Sequence, residues 1–255
     1  MSLARPVIIF AGLLIGWQTV VWLTGVQSFI LPGPRLVLEA FYQRGDVLLG
    51  HAAVTVGEIL LGLAFGTILG VTSALTMASF RPARRWLLPV LVVSQAIPVF
   101  ALAPVLVLWF GYGMAPKVAM ATLIIYFPVT ATFFDGLRRT DPGWLDLART
   151  MNASRWTTLR HVRLPAALPA LASGLRVAAA VAPIGAVVGE WVGASAGLGY
   201  YMLLMNGRVQ TAAMFAALFT LALVAVTIYF TVDFLLRRAL PWQPETDPSR
   251  KTGVA

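Results

Sequence analysis

Residues Val54 to Ser79 read VTVGEILLGLAFGTILGVTSALTMAS, an apolar run in which Glu58 is the one charge. At ~1.5 Å per helical residue, such a run can cross the ~30 Å hydrocarbon core of a bilayer. Outward from it, comparable runs occupy Val7 to Thr24, Leu87 to Phe110, Lys117 to Phe134, Pro165 to Val192 and Ala212 to Leu236. A soluble protein would have to hide every one of them. Composition argues the same way, with 59% hydrophobic residues, 11% charged residues and a mean hydropathy of +0.82. The expected fold class is all-α, a polytopic membrane protein with six transmembrane helices. The first run follows Arg5 and Pro6 and so begins like a secretory leader, but its length and the lack of a small-x-small cleavage site favour a retained helix.

The net charge of +9 comes from arginines set between the apolar runs, not from a basic face interleaved with aromatics, so it predicts topology and not nucleic-acid binding. With the N-terminus inside, the cytoplasmic side carries Arg5, the arginines of 81–85, those of 138–163, Arg237, Arg238, Arg250 and Lys251. The outside carries Arg35, Arg44, Lys117 and Arg208. That bias predicts cytoplasmic termini. Residues 1–240 read as a single membrane domain with its core at about 50–238, and 241–255 as a flexible cytoplasmic tail. Gln27 to His51 reads as an external connection with a short amphipathic helix at Leu36 to Gln43. With no cysteine and only His51 and His161, neither metal nor other cofactor is expected.

Three features inside the spans bear on function. Gly62, Gly66 and Gly70 form a stripe of small residues, expected to pack within one subunit and not at a dimer seam. Pro89, Pro98 and Pro104 break the third span beside Ser94 and Gln95, and freed backbone groups survive in lipid only against protein or a water-filled cavity. Arg176 lies well inside the fifth span, where a charge must be paired or hydrated. It has three readings: a structural partner on another helix, a gate, or a contact to substrate. A translocation pathway is expected to draw on Ser94, Gln95, Pro98, Tyr126, Thr130, Arg176 and Glu190.

Two enzyme patterns were weighed. Gly193-Ala-Ser195-Ala-Gly197 matches G-x-S-x-G, but it leaves a membrane helix where a nucleophile elbow needs a strand, and it reads better as a flexible turn closing the outer end of a pathway. No G-x-x-x-x-G-K-[ST] phosphate loop occurs, so this chain is not expected to be an enzyme that hydrolyses ATP.

Between the fourth and fifth spans, Asp141 to Pro165 carries Leu145, Ala148, Asn152, Trp156 and Leu159 at helical steps, predicting a loop helix over about 143–160. It can dock to a partner or rest on headgroups, and periodicity does not choose. Here the chain resembles the ABC-importer permeases, whose "EAA" signature has the spacing of Asp146-Leu147-Ala148, Asn152 and Val162-Arg163-Leu164-Pro165. It departs from that signature by Asp for Glu, Leu for Ala, Val for Ile and Asn for Gly, the last a mild change because Asn tolerates left-handed turns.

Leu31-Pro32-Gly33-Pro34, Ile97-Pro98 through Gly111, Pro128 and Glu190 through Gly199 extend the resemblance to the branch serving nitrate, sulfonate, taurine and thiamine-pyrimidine precursors. The resemblance implies a multi-pass protein of the bacterial cytoplasmic membrane and a coupling helix formed by Asp146, Leu147, Ala148, Asn152, Trp156, Leu164 and Pro165. It also implies assembly as two permeases, a homodimer, with two ATPase subunits and an external substrate-binding protein. A thiamine-pyrimidine precursor or related heteroaromatic is the expected solute, with sulfonate, taurine or nitrate as the alternative. A secondary transporter is the rival mechanism.

Overall fold

The structure, a computed structural model, describes residues 4–242, leaving aside the side chains of residues 4–6, 10 and 95. The 243–255 part of the expected tail and the Gln95 side chain therefore lie outside the described residues. In chain order the helices are α1 (Ala4–Thr24), α2 (Pro34–Gln43), α3 (Gly45–Ser79), α4 (Arg81–Ala96), α5 (Ala103–Phe110) and α6 (Met114–Arg138). Then come α7 (Pro142–Thr150), α8 (Arg155–Thr158), α9 (Leu164–Trp191), α10 (Leu198–Gly207) and α11 (Thr211–Ala239). Among the described residues, Val7–Thr24, α3, α6, the continuous stretch Arg155–Trp191 and α11 are each long and apolar enough to cross a membrane. A sixth candidate is the pair Arg81–Ser94 and Val99–Phe110, sharply bent at its break. Proline at position 98 supplies no amide there, so the helical ladder cannot run through.

Two elements differ from the sequence-based expectation. α3 begins at Gly45, well before Val54, because Leu48 and Ala52 are buried with α2 and α10 while Asp46 and His51 occupy its other faces. α10 was not anticipated at all. Its 10 residues span about 15 Å, too short to cross a bilayer and lacking the charge pattern of a surface helix.

The chain forms two compact units. One takes residues up to Ala64, Pro98–Leu123 and Ala182–Val226. Its core joins Val37, Leu48, Ala52, Leu198, Tyr201 and Ala216. Here α3 approaches α6 so closely at Gly62 that a Cβ would collide with Ala121, and Gly189 of α9 lies against the Lys117 backbone. The other unit takes Phe65–Ile97, Ile124–Val181 and residues from Thr227. Its core joins Ala74, Met77, Phe133, Leu137, Leu159 and Ala167. Gly70 of α3 faces Val129 of α6, and Gly136 faces Ala170 of α9. The small-residue stripe of α3 thus packs within the chain at both positions, as dispersion contact between backbones demands in lipid. Large apolar side chains such as Ile8, Leu13, Leu108, Leu223 and Phe230 remain exposed, suiting a hydrocarbon solvent.

Candidate functional site

The Asp141–Pro165 loop is anchored at its root. Arg163 donates from Nε (3.1 Å) and Nη2 (2.8 Å) to the Leu137 carbonyl near the C-terminal end of α6, and Thr140 Oγ1 reaches the same oxygen at 3.3 Å. A cation at a helix C-terminus meets the negative end of the macrodipole and satisfies an orphan carbonyl. Asp141 then caps α7, accepting from the Gly143 amide at 2.7 Å, with Pro142 in the first turn.

α7 ends at Asn152, whose φ of 53° lies in the left-handed region. The Ala153 amide donates to Ala148 O (2.9 Å) and the Asn152 amide to Arg149 O (2.9 Å), the paired bonds of a Schellman end. This corrects the single helix expected over 143–160. The stripe from Leu145 to Leu159 was continued through a residue that turns the chain. Beyond the turn, Ser154 accepts from the Thr157 amide at 3.1 Å and opens α8, and a π turn at Leu159–Arg163 feeds into α9.

On α7, Trp144, Leu147 and Met151 are 57%, 60% and 74% exposed, at the i, i+3, i+7 spacing of one helical face. Together with Thr157, His161 and Pro165 they line a groove of 970 Å³. Trp156 is also exposed and lines a second groove of 460 Å³ with Phe80 and Leu164. Asp146 pairs with Arg149 at 2.7 Å on the exposed side, a surface contact of small energetic weight. Ala148, expected on the docking face, is only 6% exposed yet lines the same groove as Trp144, Leu147 and Met151. Trp144 and Met151 were missed. Their spacing with Leu147 was available, but the neighbouring stripe through Ala148 was followed instead.

The described pathway candidates each make contacts of their own. Ser94 Oγ donates to Leu91 O (2.7 Å), and Pro98 precedes a 3-10 turn at Val99–Leu102. The Tyr126 hydroxyl donates to Ser73 Oγ at 3.1 Å. Thr130 is fully buried and donates to Tyr126 O at 2.6 Å. Arg176 Nε donates to Asp233 Oδ1 at 2.6 Å, while Asp233 Oδ2 accepts from Arg237 at 2.8 Å, so α9 is tied to α11. Glu190 is 1% exposed, and its carboxylate accepts from the Thr55 hydroxyl and from amides of α10. Thr130 and Glu190 are therefore closed inside this chain and line no open surface of it. Lys117, counted from sequence as an outer-loop charge, is 5% exposed and ion-paired with Glu58 at 2.9 Å.

With this geometry in hand, the chain matches the family described as binding-protein-dependent transport system inner membrane component over residues 66–242. A probable ABC transporter permease protein of Haemophilus influenzae is 54% identical, covering 92% of this chain and 96% of that one. The riboflavin transport system permease protein RibX of Chloroflexus aurantiacus is 38% identical, covering 95% and 91%. The formylaminopyrimidine transport permease protein ThiX of Halalkalibacterium halodurans is 36% identical, covering 94% and 96%. A chain of the MetNI methionine ABC transporter, in an inward-facing conformation, superposes with a TM-score of 0.67 over 77% of this chain and 97% of its own, at 19% identity. That last likeness is one of fold.

Proposed function

Because the chain belongs to the binding-protein-dependent transport system inner membrane component family, and is thus the permease subunit of an ABC importer in the cytoplasmic membrane, we propose that its α7 face docks the ATPase subunit that drives it. Residues 1–240 then act as one permease domain with 241–255 as its tail, both termini cytoplasmic, and two copies assemble with two ATPase subunits and an external binding protein. Family membership displaces the secondary-transporter alternative.

One observation carries the docking reading: three large apolar side chains, Trp144, Leu147 and Met151, stand exposed on a loop too rich in arginine to lie in hydrocarbon. Covering each by a partner is worth about 1.5–3 kcal/mol. Asp146, Asn152, Trp156, Leu164 and Pro165 complete the proposed surface, with Ala148 lining its groove. Co-purification of the ATPase subunit with Leu147→Arg tests it. Normal recovery would sink the assignment. Reporters fused after Arg139 and Arg238 should report cytoplasm and one near Arg208 the outside; the reverse pattern would invert the topology.

For the solute, a thiamine-pyrimidine precursor or related small heteroaromatic is favoured. The relatives named for formylaminopyrimidine and riboflavin both handle ring nitrogen compounds. The anionic alternatives lose their candidate partner, since Arg176 is already held by Asp233. Calorimetry on the cognate binding protein with formylaminopyrimidine and with taurine distinguishes them, and saturable binding of taurine alone would reverse the choice.

A further inference from the structure

At the end of α9 remote from the loop, the backbone turns through Gly193-Ala-Ser195-Ala-Gly197 before α10 begins. Gly193 has φ 78° and Gly197 φ 114°, conformations that side chains disfavour. Space forbids them too. A Cβ at Gly193 would meet the Tyr112 ring at 2.8 Å, and one at Gly197 would run into the Glu190 carboxyl.

The amides that open α10 are the donors a helix cannot satisfy by itself. Here each has a side-chain acceptor from elsewhere in the chain. The Gly197 amide donates to His51 Nδ1 at 3.1 Å and the Leu198 amide to Thr55 Oγ1 at 2.8 Å. The Gly199 and Tyr200 amides donate to Glu190 Oε2. Thr55 Oγ1 in turn donates to Glu190 Oε1 at 2.6 Å, and Lys117 Nζ, paired with Glu58, reaches Ala196 O at 3.4 Å. His51, Thr55 and Glu58 follow one another on α3 at steps of four and three, so one helix face presents them together.

A local Ser or Asp would cap this helix at no desolvation cost. Instead the cap is made of groups from three long helices. Glu190 and Lys117 are 1% and 5% exposed, and Thr55 and Glu58 are fully buried. Buried charge of this kind adds little net stability relative to apolar packing. What it does supply is a single position for the turn, lost as a unit when one member moves. The continuous stretch Arg155–Trp191 joins this turn to the partner-facing loop.

We propose that Glu190, Thr55 and His51 are positioning residues that hold the Gly193–Tyr200 turn as a gate of the translocation pathway, and that ATP binding by the partner subunits releases it. The inference rests on the docking reading above. It is tested on the complete transporter in nanodiscs by hydrogen–deuterium exchange, without nucleotide and with Mg-ATP, alongside ATP turnover in the absence of binding protein. The amides of Gly197–Tyr200 should be protected without nucleotide and exchange ~10-fold faster with it. Thr55→Val, which loses the bonds to Glu190 and to the Leu198 amide, should exchange fast in both states and raise turnover per assembled complex severalfold. Thr55→Ser, which keeps the hydroxyl, should restore both behaviours.

Slow exchange of these amides in both nucleotide states overturns the proposal. So does Thr55→Val with wild-type turnover per assembled complex, the result expected of a merely structural cap. If ATP alters protection in Asp141–Pro165 and leaves the turn unchanged, the gate is refuted while the docking reading survives. If the ATPase subunits do not assemble with the wild-type chain, both readings fall.

Discussion

The two ends of the helical stretch Arg155–Trp191 are built on opposite plans. At the Gly193–Tyr200 end, amides, a hydroxyl and charged groups are closed against one another, with Thr55, Glu58 and Glu190 all but sealed. At the Asp141–Pro165 end the polar groups serve only to shape the turns, and Trp144, Leu147 and Met151 are left uncovered beside a groove. Polar groups out of water must find partners within the chain, whereas exposed apolar surface has an unmet gain on association. The contrast separates a segment that the chain completes alone from one that, in the docking proposal, another protein completes.

The strongest challenge to this contrast is Lys117→Met. It leaves Glu58 buried without its counter-charge and should destabilise the protein by about 3–5 kcal/mol. Thermal unfolding in detergent measures it, and pairing the change with Glu58→Gln should recover most of the loss. A single variant as stable as wild type would mean that the sealed end is not sealed.

Next in size is Arg163→Met, which removes two charge-assisted bonds from the Leu137 carbonyl and should cost about 1.5–3 kcal/mol. Arg163→Lys should recover part of it, as read by the same melting curve.

Leu147→Arg sharpens the comparison from the other end. The melting temperature should stay near wild type, while recovery of the ATPase subunit drops ~10-fold or more. Ala148→Arg should do the reverse to the fold, losing about 1–3 kcal/mol of stability because the site is already packed. Similar melting curves for the two variants would erase the distinction between neighbouring faces of α7.

The smallest effects belong to the two non-glycine residues with left-handed backbone among the described residues, Asn152 in the loop and Val209 after α10, at φ 53° and 57°. Val209→Gly should stabilise by about 1 kcal/mol, since a branched side chain is poorly suited to that conformation. Asn152→Gly should change stability by only about 0.5 kcal/mol, because asparagine already tolerates it. Equal gains at both positions would show that the side-chain identity of neither matters.

The spans were legible because a helix in lipid satisfies its own backbone, which leaves continuous apolar runs as their signature. The loop was legible through spacing, down to the left-handed Asn152. What escaped was whatever depended on partners distant in sequence. Lys117 at the start of a span looks like a charge reaching for water, and nothing near it reveals Glu58 on another helix. The contacts of Glu190 to the amides of α10 were equally hidden, because α10 is too short to leave a hydropathy signal. Trp144 and Met151 escaped for a different reason, since two stripes one residue apart on α7 are nearly degenerate in composition and only packing separates them.

The chain has two lysines, Lys117 and Lys251. The first is enclosed beside Glu58 and so is shielded from amine-directed reagents. Any acylation found at Lys117 is then a record that the enclosure had opened. The protein thus carries a built-in occupancy meter, readable by peptide mass mapping without introducing a probe.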